Sequence, residues 1–288
     1  MNSYLLALLL GIVEGLTEFL PVSSTAHLRI SEALLGINLG DGYWKMFSIV
    51  IQLGAILCLP IYFRERIAKF LATFPNGERG DRTFLTHPLT LTMIAFVCTA
   101  GPAFLLHKVI GKNLESLFVM GSALIVGGIV MWVIDALYSS GTLRHDTDHM
   151  EEMSLGQSIW VGCCQILSAV FPGTSRSMST IAAGQVSGMS RAAALEFSFF
   201  LSIPTMVVAT LYDLYKSMHP HAGEASVLGQ ISWTGQAWIT LAIGFIVSFV
   251  VAYFVVVWFM NWVRTRGFVP FAVYRLVVGA SVLWWAMR

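Results

Sequence analysis

The chain has 288 residues, of which 56% are hydrophobic and 11% charged, and its mean hydropathy is +0.73. Those values exclude a water-soluble globular domain and a disordered chain alike. Seventeen Lys and Arg against sixteen Asp and Glu leave a formal charge of +1, so no basic surface is on offer to nucleic acid, and the expected partner is the bilayer. Cys58, Cys98, Cys163 and Cys164 all lie in apolar stretches, which argues for packing rather than a disulfide framework or a zinc site.

In chain order, the first apolar stretch covers residues 4–20. It has no basic leading segment and carries Glu14 and Glu18, so it is expected to belong to the working protein rather than to a signal peptide. A helix crossing the hydrocarbon core needs about 20 mostly apolar residues. Six runs meet that requirement, at about 44–63, 89–106, 114–138, 193–212, 236–262 and 268–287. Two apolar stretches, 4–20 and 159–171, end differently. A proline introduces a Ser/Thr-rich segment in each, SSTAH after Pro21 and TSRS after Pro172. Irregular backbone at membrane depth survives only when it is buried in protein or lines a wet cavity, so both are expected to be re-entrant helix-turn-helix segments.

Placing residues 11–24 over 162–175, an offset of 151, sets Leu16 on Leu167, Pro21 on Pro172, Ser24 on Ser175 and Glu14 on Gln165. A second match, FSIVIQL from Phe47 with FSFFLSI from Phe197, has an offset of 150. The expected fold is therefore an all-α polytopic membrane protein with six full transmembrane helices and two re-entrant segments. It would form a single membrane domain over 1–288, built from inverted repeats at about 1–150 and 151–288. Such repeats bring their broken helices together near the bilayer midplane.

Short cytoplasmic loops carry excess Lys and Arg. Arg64, Arg66, Lys69, Arg79 and Arg82 mark the 64–88 segment as cytoplasmic, and alternation puts Arg264 and Arg266 on the same side. Both termini and the Lys216 loop then fall outside, with Lys108 and Lys112 counting against this orientation.

Ionisable groups at membrane depth are costly and mark function by default. Glu14 and Glu18 are four apart, so they share one helix face and suit a divalent cation, Mg2+ or Ca2+, or a base paired with a second carboxylate. Pro21 ends that helix, and Ser23, Ser24, Thr25 and His27 follow. In the second segment Gly173 permits a sharp turn. Thr174, Ser175 and Ser177 offer hydroxyls at a helix start, and Arg176 adds a planar fork that matches phosphate oxygens. Together these groups suit a phosphorylated lipid whose tail stays in the bilayer.

The blocks EGLTEFLPVSSTAH, from Glu14 to His27, and PGTSRSMST, from Pro172 to Thr180, resemble the two motifs of the bacterial undecaprenyl-diphosphate phosphatases of the bacitracin-resistance type. The likeness in length and hydropathy extends along the whole chain. It implies hydrolysis of undecaprenyl diphosphate to the monophosphate carrier and inorganic phosphate at the outer face of the bacterial inner membrane. By the same resemblance the family's glutamates fall on Glu14 and Glu18, its serine pair on Ser23 and Ser24, its histidine on His27, and its arginine motif on Ser175, Arg176 and Thr180. Met178 and Ser179 depart from the small pair common at that turn.

Ser24 as nucleophile, Glu18 as its base and Arg176 as charge stabiliser make one mechanism; water activated by Glu18 makes the other. Gln165 is expected to hydrogen-bond at the site. Arg275, inside the last span, is expected to touch phosphate or to pair with a carboxylate such as Glu196. A lipid-phosphate flippase or anion transporter could use the same inverted-repeat site without chemistry. Assembly as a homodimer is left open. His145 and His149, and His219 and His221, read as loop residues. Gly121, Gly127 and Gly128 read as helix-packing positions and the tryptophans near span ends as interfacial anchors.

Overall fold

The structure is a computed structural model that describes residues 2–38, 41–78, 80–106, 110, 116–219 and 234–288. Arg79, Lys108, Lys112, His221 and the first residues of the expected third span, from Leu114, lie outside the described residues. Among the described residues there are helices and no strand.

The helices, in order, are α1 (Ser3–Thr17), α2 (Ser24–Leu34), α3 (Gly42–Ile56), α4 (Cys58–Tyr62), α5 (Arg64–Thr73) and α6 (Pro88–Leu105). They continue with α7 (Leu117–Ser139), α8 (Leu155–Val170), α9 (Arg176–Val186), α10 (Arg191–Met218), α11 (Gly235–Thr265) and α12 (Val269–Ala286). By length and composition, six stretches among the described residues suffice to cross a membrane: Gly42–Tyr62, Pro88–Leu105, Leu117–Ser139, Arg191–Ser217, Gly235–Thr265 and Val269–Ala286. These are the six expected from hydropathy, with ends moved by a few residues.

Two of the differences have clear causes. The first span is interrupted at Leu57, between the end of α3 at Ile56 and the start of α4 at Cys58. Pro60 stands four residues after Ile56, lacks an N–H to bond its carbonyl and crowds it. The fourth span runs on past residue 212, so Lys216 sits in the last turn of α10 rather than in a loop. No glycine or proline interrupts the chain between Tyr212 and Met218, and a basic residue suits a helix C-terminus.

The chain packs as two compact units, each drawing on both halves of the sequence. The first consists of Met1–Phe19, Ser24–Tyr62 and Ser202–Val257. Its core joins Leu6 and Leu10 of α1 with Phe47 and Ile51 of α3 and Leu241 of α11. A side chain at Gly11 would meet the Gly244 carbonyl at 2.9 Å, and one at Gly54 the Phe245 carbonyl at 2.6 Å, so small residues let α1 and α3 lie close to α11. Ser248 on α11 donates to the Ile51 carbonyl at 2.7 Å, a bond that holds two spans where water is absent.

The second unit consists of Leu20–Ser23, Phe63–Leu201 and Trp258–Arg288. Gly121 and Gly128 of α7 admit Leu283 and the Ala272 carbonyl of α12 at close range, as expected of packing glycines. Ser158 of α8 donates to the Leu91 carbonyl at 2.6 Å, and Thr99 of α6 to the Gly162 carbonyl at 2.7 Å. Asp135, 2% exposed near the end of α7, takes the Arg191 Nε at 2.8 Å on one oxygen. Its other oxygen accepts from the Phe268 and Val269 amides at 2.8 and 3.3 Å, which caps α12 with a negative charge. Arg66 of α5 donates through Nη2 to both carboxylate oxygens of Glu151 at 2.7 Å and pairs through Nε with Glu196 of α10, also at 2.7 Å. Glu196, weighed above as a partner for Arg275, is therefore engaged elsewhere. His145 pairs with Asp148 at 3.0 Å and stacks on Tyr138.

Candidate active site

Both broken segments are helix, turn, helix, and each turn closes on a serine with positive φ. In the first, α1 gives way after Thr17 and α2 starts at Ser24, with Ser23 at φ 74°. In the second, α8 gives way after Val170 and α9 starts at Arg176, with Ser175 at φ 72°. A non-glycine residue in the left-handed region is uncommon, so the shared feature is a strong local signature. It also shifts the correspondence: Ser23 matches Ser175, one residue away from the offset that aligns the prolines.

In the first unit, Glu14 lies on α1 and Glu18 caps its C-terminal end, with exposures of 0% and 5%. Ser24, the first residue of α2, donates its hydroxyl to Glu18 Oε2 at 2.6 Å. That is the short O–H···O⁻ geometry of a charge-assisted bond and the arrangement a serine needs if a carboxylate is to take its proton. Thr25 is exposed and His27 half-buried, one and three residues further along α2.

In the second unit the two turns meet. Ser177, near the start of α9, donates to the Leu20 carbonyl at 3.0 Å. Arg275 of α12, 0% exposed, donates to the Pro21 carbonyl at 3.0 Å and to the Gly173 carbonyl at 3.1 Å. Its remaining bonds go to the Ala123 and Leu124 carbonyls of α7, at 3.1 and 3.3 Å. The guanidinium occupies the space left by Gly127, where a side chain would strike Nη2. Gly173 adopts φ 98°, and a side chain there would meet the Met120 carbonyl at 2.5 Å, so the turn requires glycine on both grounds.

Ser175 is the N-cap of α9, its hydroxyl facing the Met178 amide at 3.4 Å and the Ser177 hydroxyl at 3.1 Å. Thr174 is buried at the same turn. Arg176 is only half-buried, and its Nη1 reaches the Ser198 carbonyl at 3.5 Å, the outer limit of a hydrogen bond. Thr180 is fully buried and bonds Ser198 Oγ at 2.6 Å, holding α9 to α10. Gln165 is buried on α8. Met178, the departure from the common motif, is buried beside Gly127.

Among the described residues, no three His, Cys, Asp or Glu side chains come together as a metal cage. Asp135 was not picked out from the sequence, although a lone acid in the apolar run MWVIDALYS is the signal that should have found it.

The fold and these turns define a polytopic helical membrane protein with a serine–carboxylate pair at one helix break and a hydroxyl-rich helix start at another. Residues 7–281 match the family described as Bacitracin resistance protein BacA, and the chain belongs to that family. It is 72% identical over 288 residues to the undecaprenyl-diphosphatase of Koribacter versatilis, all of both chains being covered. The undecaprenyl-diphosphatase of Caldanaerobacter subterraneus subsp. tengcongensis is 41% identical over 277 residues, which is 96% of this chain and 94% of the relative. That of Rhizorhabdus wittichii is 40% identical over 285 residues, covering 99% and 98%.

Proposed function

We propose that this chain is an integral membrane phosphatase that converts undecaprenyl diphosphate to undecaprenyl phosphate and inorganic phosphate. The observation that carries the chemistry is the 2.6 Å bond from Ser24 to Glu18. Full-length kinship to undecaprenyl-diphosphatases supports the substrate.

Ser24 Oγ attacks the distal phosphorus while its proton passes to Glu18. The bond to the bridging oxygen breaks and undecaprenyl phosphate leaves. Water then cleaves the phosphoserine, returning the proton to Ser24 and releasing phosphate. Arg176, with a permanently charged planar guanidinium, stabilises charge on the transferred oxygens together with the turn hydroxyls of Ser23, Thr174, Ser175 and Ser177. Arg275 and Thr180 act as positioning residues, because their polar atoms are spent on carbonyls and on Ser198. A divalent cation held by Glu14 and Glu18 would neutralise diphosphate charge when bound.

The inverted repeat and the re-entrant character of α1–α2 and α8–α9 belong to the same proposal, supported by the matching positive-φ serines. So does a site open to the outer side of the bacterial inner membrane, supported by the basic 64–88 segment.

The test is release of inorganic phosphate by purified protein from undecaprenyl diphosphate, with and without Mg2+ or Ca2+. Ser24→Ala should cut turnover by about 10²-fold or more, and rapid quenching of the parent protein should trap phosphoserine. Near-normal turnover in Ser24→Ala would transfer the attack to water. No release under any condition would favour a lipid-phosphate transporter.

A further inference from the structure

The second unit holds an apolar groove that the phosphatase proposal does not use. Helix α9 packs against both α7 and α8, and the space between those two stays open above it. The groove has a volume of about 540 Å³. Val126 of α7 and Leu167 of α8, 60% and 50% exposed, stand on its walls. Ala182 and Ala183 of α9 form a floor of small side chains. Along α7 the lining runs from Phe118 to Ile134, a rise of about 24 Å at 1.5 Å per residue. One end is marked by Thr174, the residue before the Ser175 cap of α9.

From these features we infer that the groove binds the polyprenyl chain of the substrate, with the diphosphate at the Thr174–Ser175 end. This rests on the phosphatase proposal for the identity of the ligand. Three observations select a prenyl chain. The groove is continuous with the turn that carries the phosphate-type residues, so one molecule can fill both. One wall belongs to a membrane span, α7, and the other to the apolar helix α8, so a chain enters sideways without leaving hydrocarbon. Its alanine floor leaves room for the methyl branches that a prenyl chain carries and a straight acyl chain lacks. Binding tightens with every methylene or methyl buried, so a groove of this length contributes to binding of long substrates and little to that of short ones.

The experiment uses full-length protein and a prenyl diphosphate bearing a diazirine in its tail, with adducts mapped by mass spectrometry. Labelling of α7, α8 and α9 within residues 118–134 and 160–186, suppressed by undecaprenyl phosphate and not by a diacyl phospholipid, is the expected result. Labels elsewhere, or equal suppression by the phospholipid, would overturn the assignment. Labelling in the groove by a protein that releases no phosphate would sink the phosphatase proposal and leave this one standing. As a second measurement, Val126→Trp on the lipid-facing wall and Ala183→Phe on the floor fill the groove. Either should raise KM for undecaprenyl diphosphate about tenfold and leave kcat/KM for isopentenyl diphosphate within twofold of the parent. Unchanged KM for the long substrate in both folded variants, or an equal loss for both substrates, would refute the inference.

Discussion

Arg275 donates to the carbonyl of Pro21 at 3.0 Å across 254 residues of sequence. The same guanidinium takes the Gly173 carbonyl at 3.1 Å, so a single side chain holds the two turns at the helix breaks. A permanently charged, planar donor suits this task, because its N–H groups leave in fixed directions and meet four carbonyls at once.

Arg275→Lys keeps the charge and loses the fork. With three donors for four carbonyls, at least one carbonyl then loses its partner in a fully buried site, at a cost of about 1–3 kcal/mol. The expected outcome is a lower Tm and a fall in kcat of about 10²-fold through misplacement of both turns, with KM for substrate changed much less. If Arg275 touched phosphate, KM would move with kcat, so steady-state kinetics with thermal melting in detergent separates the two roles.

Asp135→Ala should destabilise the second unit without touching the reacting groups. The acid is 3% exposed at its side chain and Arg191 20%. Removing one partner of a buried pair costs about 3–5 kcal/mol, and the partial exposure of Arg191 places this case at the lower end. The double variant with Arg191→Ala should cost less than the two single losses added together, by about 1–3 kcal/mol. Thermal melting of the three variants checks both statements.

Gly173→Ala and Gly141→Ala make a matched pair. Both glycines have positive φ, 98° and 75°, but a methyl at Gly173 meets the Met120 carbonyl at 2.5 Å whereas one at Gly141 meets nothing within 4 Å. Gly141→Ala should therefore cost only the torsional strain, about 1 kcal/mol, and keep full activity. Gly173→Ala has to displace α7 as well and should abolish turnover. Comparable activity in the two variants would show that the collision is relieved cheaply.

How much of this was legible beforehand differs by residue. The six spans follow from composition, because lipid tolerates little else. The breaks were visible as prolines followed by hydroxyl residues, and the Ser24–Glu18 pair as a serine shortly after a helix-ending acid. The interruption at Leu57 was hidden inside an apolar run, although Pro60 signals it once the carbonyl four residues earlier is considered. The role of Arg275 could not be read, since its partners are backbone carbonyls and every residue has one. Glu196 looked available in the sequence, and only the fold brings Arg66 to it.

Acid should weaken the protein through His87. This residue is fully buried before α6, faces the rings of Phe70 and Phe74, and its Nδ1 accepts from the Leu89 amide at 3.3 Å. Burial, aided by the positive charge of Arg82, pushes its pKa below the ordinary histidine value of 6.5. The folded state thus prefers neutral imidazole while the unfolded chain protonates first. The stabilisation is complete above about pH 6.5 and declines as the pH falls through that value toward the lower folded pKa. His87→Asn retains a capping oxygen. Between pH 8 and 5 its Tm should fall less than that of the parent, and parallel pH curves would rule the histidine out.

Ser23 and Ser175 sit at torsion angles that cost a side-chain-bearing residue about 1–3 kcal/mol each. That energy is recovered only while the neighbouring helices keep both turns clamped. On warming, the turns are the first places able to relax, so catalytic competence should decay at temperatures where the helical scaffold is still intact.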